Sequence, residues 1–387
     1  MNTKAILAVA VVAIVVVAGV AVFTLGSDKE SDRQLEDLYG NKFTVKNDVK
    51  TSVIESGAAL RFTSYMGDDA MKTIVGSTFD PANKNKGSTS YSYATFPSSY
   101  KFLVKVDSAN AEKIIDLKPD IVLIGCSKSK LSDDQTQLID TLKTVGIPTC
   151  VIKYVDDVTT DEFAKQVDLM GKIFGCEKRA TELLEKVKGI ISDLSGKMSS
   201  FSGTKNVYVG GVAFMGTKDF LWSNVAYGGL LYLDPTKVVN IAKTLVPGAT
   251  YQAECSFEKI YEFEKTKAID LALLDVAGYE VTAGNYEADP SIYNKVTAIQ
   301  NKNFFYVLPQ TSSGTLHDNT IVAAYSIGKN IDPTGFKSVD LVSKAKEIYS
   351  IFLGSDAAGE AAYNGISAYV KGITGNGDLF GPVGFVE

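Results

Sequence analysis

The sequence predicts an α/β protein of two similar lobes, each a parallel sheet flanked by helices, with one long helix between them and a transmembrane helix in front. Three observations carry that expectation. Strand and helix patterns alternate on both sides of the middle of the chain; one amphipathic stretch, 177–198, runs unbroken; and a helix-then-strand phrase occurs once on each side of it. At 387 residues the chain is long for one domain and comfortable for two.

The N-terminal element is the transmembrane helix. Residues 5–25 are apolar apart from Gly19 and Thr24. As a helix rising about 1.5 Å per residue they would span roughly 30 Å, the thickness of a bilayer core. Lys4 precedes the run and Asp28, Glu30 and Asp32 follow it, which keeps the cationic end inside and exports everything after residue 27. A cleaved signal has a shorter apolar region, about 7–15 residues, so 1–27 reads as an uncleaved signal anchor with cleavage as the alternative. Residues 28–38 are polar and read as a spacer.

The first lobe is expected over 39–176. Residues 39–45 form a turn running into a strand, half of a hairpin. A strand at 51–55 leads through Ser56-Gly57 into a helix over 58–71. The buried-strand run 121–124 (IVLI) precedes a Gly125-Cys126-Ser127 turn, and 149–154 is the next strand after the Gly146-Ile147-Pro148 break. Strands separated by helices imply parallel βαβ units. The linking helix is Glu177–Met198: Ala180, Leu183, Leu184, Val187, Ile190, Ile191, Leu194 and Met198 follow three–four spacing, and Glu177 complements the dipole of the first turn. Gly189 inside it costs about 1 kcal/mol relative to Ala. The second lobe, 199–387, brings strands at 206–209, 238–242, 271–274 and 304–307. The repeated phrase is Glu112-Lys113-Ile114 running on to Asp120-Ile121-Val122, and Glu258-Lys259-Ile260 running on to Asp270-Leu271-Ala272.

Composition narrows the function. Hydrophobic residues at 45% and charged residues at 22% describe a chain with a core, not a disordered tail. Asp plus Glu is 45 against 39 for Lys plus Arg, a net charge of −6 with no basic stripe, which excludes nucleic acid as a partner. His317 is the single histidine, so multi-His zinc sites fall away and a Ser-His-Asp triad is weakened. Cys126, Cys150, Cys176 and Cys255 lie far apart with no CxxC pair and read as buried thiols, with one disulfide, such as Cys126 to Cys150, as the alternative in an oxidising medium. The sequence lacks a GxxxxGK[ST] loop, a GxSxG elbow and HExxH, so no catalytic role is expected.

Several phrases then become specific. LYGNKFTV, ALRFTSYMGDDAMKTIVG and NAEKIIDLKPDIVLIG stand in the first half; NVYVGGVAFMG, AIQNKNFFYVLP, AAYSIGKNIDPTGF and KAKEIYSIFLG stand in the second. In this order, over about residues 39–354, the chain resembles the substrate-binding proteins of ABC importers for iron complexes, haem and cobalamin. The resemblance implies two Rossmann-like lobes joined by a single helix, on the class III periplasmic-binding-protein plan. It implies capture of a metal chelate or corrinoid outside the cytoplasm, and delivery to the permease and ATPase subunits of an ABC importer. Glu112 and Glu258 match the family's acidic residues that meet permease arginines, one per lobe.

Ligand is expected between the lobes at the carboxyl ends of the strands, where helix N-termini point free N–H groups. Candidate lining residues are Ser56, Gly57, Cys126 and Ser127 in the first lobe. In the second they are Gly210, Gly211, Gly216, the segment 310–314 beginning at Gln310, and the aromatic residues Trp222 and Tyr227. Tyr91, Tyr93 and Tyr100 are further candidates. The family often carries a Tyr-rich phrase where this chain has Gln310-Thr311-Ser312-Ser313-Gly314-Thr315-Leu316-His317, which argues against tyrosinate coordination of bare ferric iron. His317 is the candidate axial ligand to a haem or corrinoid metal. Two other readings compete: a membrane-anchored extracellular sensor on the same fold, and an extracellular chelatase-like enzyme.

Overall fold

The computed structural model describes residues 32–386 apart from 81–86, 104–106, 128 and 213–217. The expected anchor, 1–27, lies outside the described residues; among those, no helix is long and apolar enough to cross a membrane.

The expected spacer is overturned at its far end. Arg33–Glu36 forms strand β1, antiparallel to β2 (Lys42–Val45). The reason is local: Leu35 and Leu38 pack on the core, and the Asp37 carboxylate ties the turn together. It accepts the Tyr39 N–H at 2.9 Å and the Asn41 N–H at 3.0 Å, and reaches across to the Val151 N–H at 2.9 Å.

Five parallel strands form the first sheet. β3 (Ser52–Ile54), β4 (Ile74–Ser77), β5 (Lys101–Phe102), β6 (Ile121–Cys126) and β7 (Thr149–Lys153) lie in the order β5-β4-β3-β6-β7. All six residues of β6 are buried, as expected for a central parallel strand covered on both faces. The strand runs on through Gly125 and Cys126, two residues beyond the IVLI run. The helix expected over 58–71 is broken: it spans Gly57–Tyr65, stops at Gly67, whose φ is 84°, and resumes for one turn at Asp68–Met71.

After the linking helix, β8 (Lys205–Gly210), β9 (Trp222–Asn224), β10 (Val238–Asn240), β11 (Gln252–Glu254), β12 (Leu271–Asp275) and β13 (Phe304–Val307) follow. Four of them make a second parallel sheet in the order β10-β8-β12-β13, while β9 and β11 pair antiparallel beside it. The order repeats that of β4-β3-β6-β7. The repeated phrase has a physical role in both sheets. The Asp120 carboxylate accepts the N–H groups of Lys50 and Thr51 and pairs with Lys46 at 2.5 Å, locking β6 to β3. The Asp270 carboxylate accepts the Asn206 N–H and pairs with Lys205 at 3.1 Å, locking β12 to β8.

The linking helix spans Glu177–Met198, with Ala180, Leu183, Val187, Ile190, Leu194 and Met198 buried on one stripe. A buried helix, His317–Ile331, crosses the molecule, and the two C-terminal helices, Leu341–Leu353 and Asp356–Thr374, pack back against the first half. Arg179 of the linking helix fixes that return: it donates to the Tyr65 carbonyl at 2.9 Å and to the Phe352 carbonyl at 3.0 Å. One hydrophobic cluster consequently runs through both halves. Among the described residues no disulfide joins the four cysteines.

Candidate functional site

The carboxyl ends of the two sheets face one another across a cavity of about 460 Å³. From the first half it is lined by Gly57, after β3, by Thr78 and Phe79, after β4, and by Tyr91. From the second half Ala277 follows β12, while Pro309, Thr311, Ser312 and Ser313 follow β13. Ser88, Thr89 and Ser92 add hydroxyls, and Tyr369 closes one side from the last helix. A larger groove, about 840 Å³, runs along the outer face of the linking helix from Arg179 to Asp193, away from the strand ends. The strand-end cavity is the candidate site, because parallel sheets present free N–H groups and turn residues there.

Ser56 caps the Gly57 helix, its hydroxyl accepting the Ala59 N–H at 3.1 Å. One turn on stands Arg61, fully buried and the one charged residue of this helix. Its Nη1 donates to the Ser312 carbonyl at 3.1 Å and its Nη2 to the Ser313 carbonyl at 3.0 Å. Nε has no partner, and the guanidinium has no carboxylate within ion-pair distance among the described residues. The Tyr91 phenol, lining the cavity, is pushed above its usual range by burial, with Arg61 and a hydrogen bond to Ser312 pulling back. Glu55, at the end of β3, is lifted by burial to about 7 although it accepts the Gly125 N–H at 2.9 Å. Asp275, at the end of β12, is likewise lifted to about 7 by burial, opposed by the N–H groups of Ala277 and Gln310.

Beside the cavity the 309–319 segment bolts the halves together. The His317 Nε2 lies 2.7 Å from the Val155 carbonyl, so it carries the proton and donates, and Nδ1 accepts from the Tyr65 hydroxyl at 3.0 Å. Thr315 donates to the Asp156 carboxylate at 2.6 Å, and the Ser90 hydroxyl bonds Asp318. Asn319 Nδ2 donates to the carbonyls of Ser88 and Pro309, both at 2.9 Å.

These contacts correct several expectations. His317 is wholly buried with both ring nitrogens engaged, and burial, helped by the Arg61 cation, drives its imidazole down to about 3. It is a neutral bolt between the halves and offers no lone pair to a metal. Gly57 and the loop 311–313 are brought together as expected; Ser56 acts through its cap. Cys126 is buried, its thiol against the Lys130 carbonyl and its own carbonyl accepting the Tyr39 hydroxyl at 3.0 Å, while Ser127 faces solvent; neither lines the cavity. Gly210 and Gly211 are packing positions: a Cβ on Gly210 would lie 2.2 Å from the Phe220 carbonyl oxygen, and one on Gly211, whose φ is 74°, would meet Leu274 at 2.8 Å. Gly216 lies outside the described residues. Tyr227 is core, its hydroxyl buried without a partner, and Gln310 is buried beneath the loop, accepting the Gly228 N–H at 2.9 Å. Trp222 is half-buried on β9 with the Lys218 ammonium 4.0 Å over its ring. Of the tyrosine stretch, Tyr91 lines the cavity; Tyr93 donates to Gly87 at 2.9 Å and Tyr100 bonds the Phe79 carbonyl. Sequence reasoning missed Arg61, though a lone cation inside AALRFTSYM was the available signal. It also missed Thr78, Phe79, Ala277 and Tyr369, which the sequence marks in no special way.

Glu112 and Glu258 stand in the first turns of the helices Ala111–Leu117 and Phe257–Glu264, each leading into the central strand of its sheet. Both are exposed and free of ion pairs among the described residues.

Two parallel sheets, a helix passing between them and a cavity flanked by their carboxyl ends are the features on which the comparisons with known proteins bear. The sequence model of the family described as periplasmic binding protein matches residues 99–311, more than half of the chain, and the chain belongs to that family. A curated relative, the uncharacterized ABC transporter substrate-binding lipoprotein YvrC of Bacillus subtilis, is 27% identical over 172 residues, which are 43% of this chain and 48% of that protein. The match thus spans about half of the relative's length. Among solved structures, the molybdate-bound periplasmic binding protein MolA of Haemophilus influenzae is 17% identical with a TM-score of 0.59, over 84% of this chain and 98% of that one. CeuE of Helicobacter pylori with Ni(II) bound is 19% identical with a TM-score of 0.55, over 85% and 98%. At such identities these two share the fold.

Proposed function

We propose that this protein is an extracytoplasmic solute-binding protein that captures a metal complex in the cavity between its sheets and hands it to an ABC importer permease, with its ATPase subunit. The observation that carries the reading is the cavity itself, flanked by strand ends of both halves and lined by hydroxyls and aromatic rings. The cargo is a complex that brings its own ligands: an iron–siderophore, a haem or a corrinoid. A bare cation suits the site poorly, because the described residues contain no group of three His, Cys, Asp or Glu side chains arranged to hold one. Tyr91 also resists ionisation, since burial raises its phenol. The two structural neighbours carry molybdate and Ni(II), so metal-containing cargo is at home on this fold, although neither is a chelate of the kind proposed here. The family membership and the likeness to a lipoprotein support an extracytoplasmic, membrane-attached site of action.

Glu112 and Glu258 are the proposed docking acids. Their equivalent positions let a permease read one carboxylate on each half, and exposed charges of this kind set register and on-rate more than affinity. Equilibrium dialysis of the purified protein against haem, cobalamin, ferric siderophores and molybdate tests the cargo. Saturable binding of one of them is expected; binding of an amino acid or sugar with none of the panel would reject the cargo class. The double variant Glu112→Ala/Glu258→Ala is expected to bind as wild type yet lose uptake in vesicles carrying the cognate permease. Unimpaired uptake would remove the docking assignment.

A further inference from the structure

The loop after β13 reaches across the cavity and takes the positions an anion would take. Its tip is a tight reversal, with Thr311 bridged to Thr315, the Ser312 N–H donating to the Gly314 carbonyl at 2.9 Å, and positive φ at Ser313 (48°) and Gly314 (90°). The two donors of the buried Arg61 fork are given to the Ser312 and Ser313 carbonyls. The Ser313 side chain also stands over the N-terminus of the Gly57 helix: a Cβ on Gly57 would lie 2.8 Å from the Ser313 Oγ. Guanidinium and helix N-terminus are the two groups here that favour negative charge, and one loop tip covers both. The guanidinium's hydrogen-bond acceptors are these two neutral carbonyls, and the buried Asp318 carboxylate acts on it at longer range without bonding it; a buried cation held this way is costly. Yet Ser313 itself remains exposed, so the tip is reachable from the cavity.

We propose that the tip at residues 312–314 is a built-in plug, its carbonyls standing in for the paired acceptor oxygens of an anionic ligand that must displace it to reach Arg61. The proposal rests on the reading of the cavity as the solute site and narrows the cargo to complexes presenting a carboxylate or oxyanion. Withdrawal of the plug exposes a guanidinium that is otherwise sealed, and the seated plug reduces the apparent affinity to the fraction of molecules in which it is withdrawn.

Gly314→Val unseats the tip, because a β-branched residue rejects a φ of 90° and its Cβ would meet Tyr154 at 2.9 Å and the Arg61 Nη2 at 3.0 Å. Phenylglyoxal labelling, mapped by mass spectrometry, reads Arg61 directly, with Arg33 as reference. The rate at Arg61 is expected to rise at least about fivefold in Gly314→Val, as for any locally opened site. With ferric citrate and molybdate as probes, the affinity for at least one is expected to tighten roughly threefold or more in the same variant. Arg61→Lys keeps the charge but cannot span both carbonyls; in that variant amide exchange over 310–316 is expected to quicken while β6 and β12 stay protected. Unchanged Arg61 labelling in a folded Gly314→Val protein, unchanged exchange in Arg61→Lys, or weaker probe binding on unseating the tip would each overturn the plug. If neither wild type nor variant binds any solute, the reading of the cavity fails, and Arg61 labelling still decides whether the tip is a plug.

Discussion

His317, Glu55 and Asp275 set the pH response, and they pull in opposite directions. The folded protein refuses the His317 proton until about pH 3, whereas an unfolded chain takes it up near 6.5. The stability His317 contributes is therefore complete above pH 6.5 and declines as pH falls from 6.5 towards 3. Glu55 and Asp275 are raised to about 7 from ordinary values of 4.5 and 3.8, so the folded form keeps protons there that the unfolded chain has lost. Their share is present in acid and fades as pH rises from about 4 through 7. In urea melts, the stability gap between wild type and His317→Gln should narrow from pH 6.5 down to pH 4.5; a constant gap would mean the imidazole is not held neutral. For Asp275→Asn the gap should instead shrink, or reverse, from pH 5 up to pH 8.

Among the elements, the linking helix makes the clearest predictions. Leu194 is fully buried, and Leu194→Ala should cost about 2–5 kcal/mol, read from the chemical-denaturation midpoint. Gly189, on the same helix, has nothing within 4 Å of a built Cβ, so Gly189→Ala should gain roughly 0.5–1 kcal/mol. A loss there would mean that this face of the helix is covered. This helix and β13 were legible because periodicity and apolar runs decide them locally; the repeated Glu-to-Asp phrase was legible as a pattern, but the bonds that give it meaning reach 70 and 64 residues back along the chain. The helix over 58–71 was overextended because Gly67 breaks it through backbone conformation, which apolar spacing does not report. The cavity was legible only by the strand-end rule. That rule found Gly57 and the 311–313 loop, but it cannot distinguish a turn that faces the gap from one that packs inward, as Gly210 and Gly211 do. The hydrogen bonds of His317 lie 162 and 252 residues away along the chain, a distance no local pattern encodes.

Across the whole molecule the halves are joined more tightly than one strut would allow. The bolts from the 309–319 segment and the return of the C-terminal helices leave little room for large rigid-body opening, so on the proposed function cargo entry falls to local motion of the loop. Small-angle scattering of the ligand-free and loaded protein should accordingly differ by little. A change in radius of gyration of several ångströms would instead assign the gating to hinge closure.

The backward packing of those last two helices has a further consequence. The connection 199–204, just after the linking helix, is largely exposed. A protease nick there would sever the covalent route between the sheets without parting them, because Tyr65, Arg179 and the Tyr91–Tyr93 region would still be clasped by the carboxyl-terminal fragment. The two fragments should co-elute until denaturant is added, and the protein should tolerate being expressed as two separate pieces.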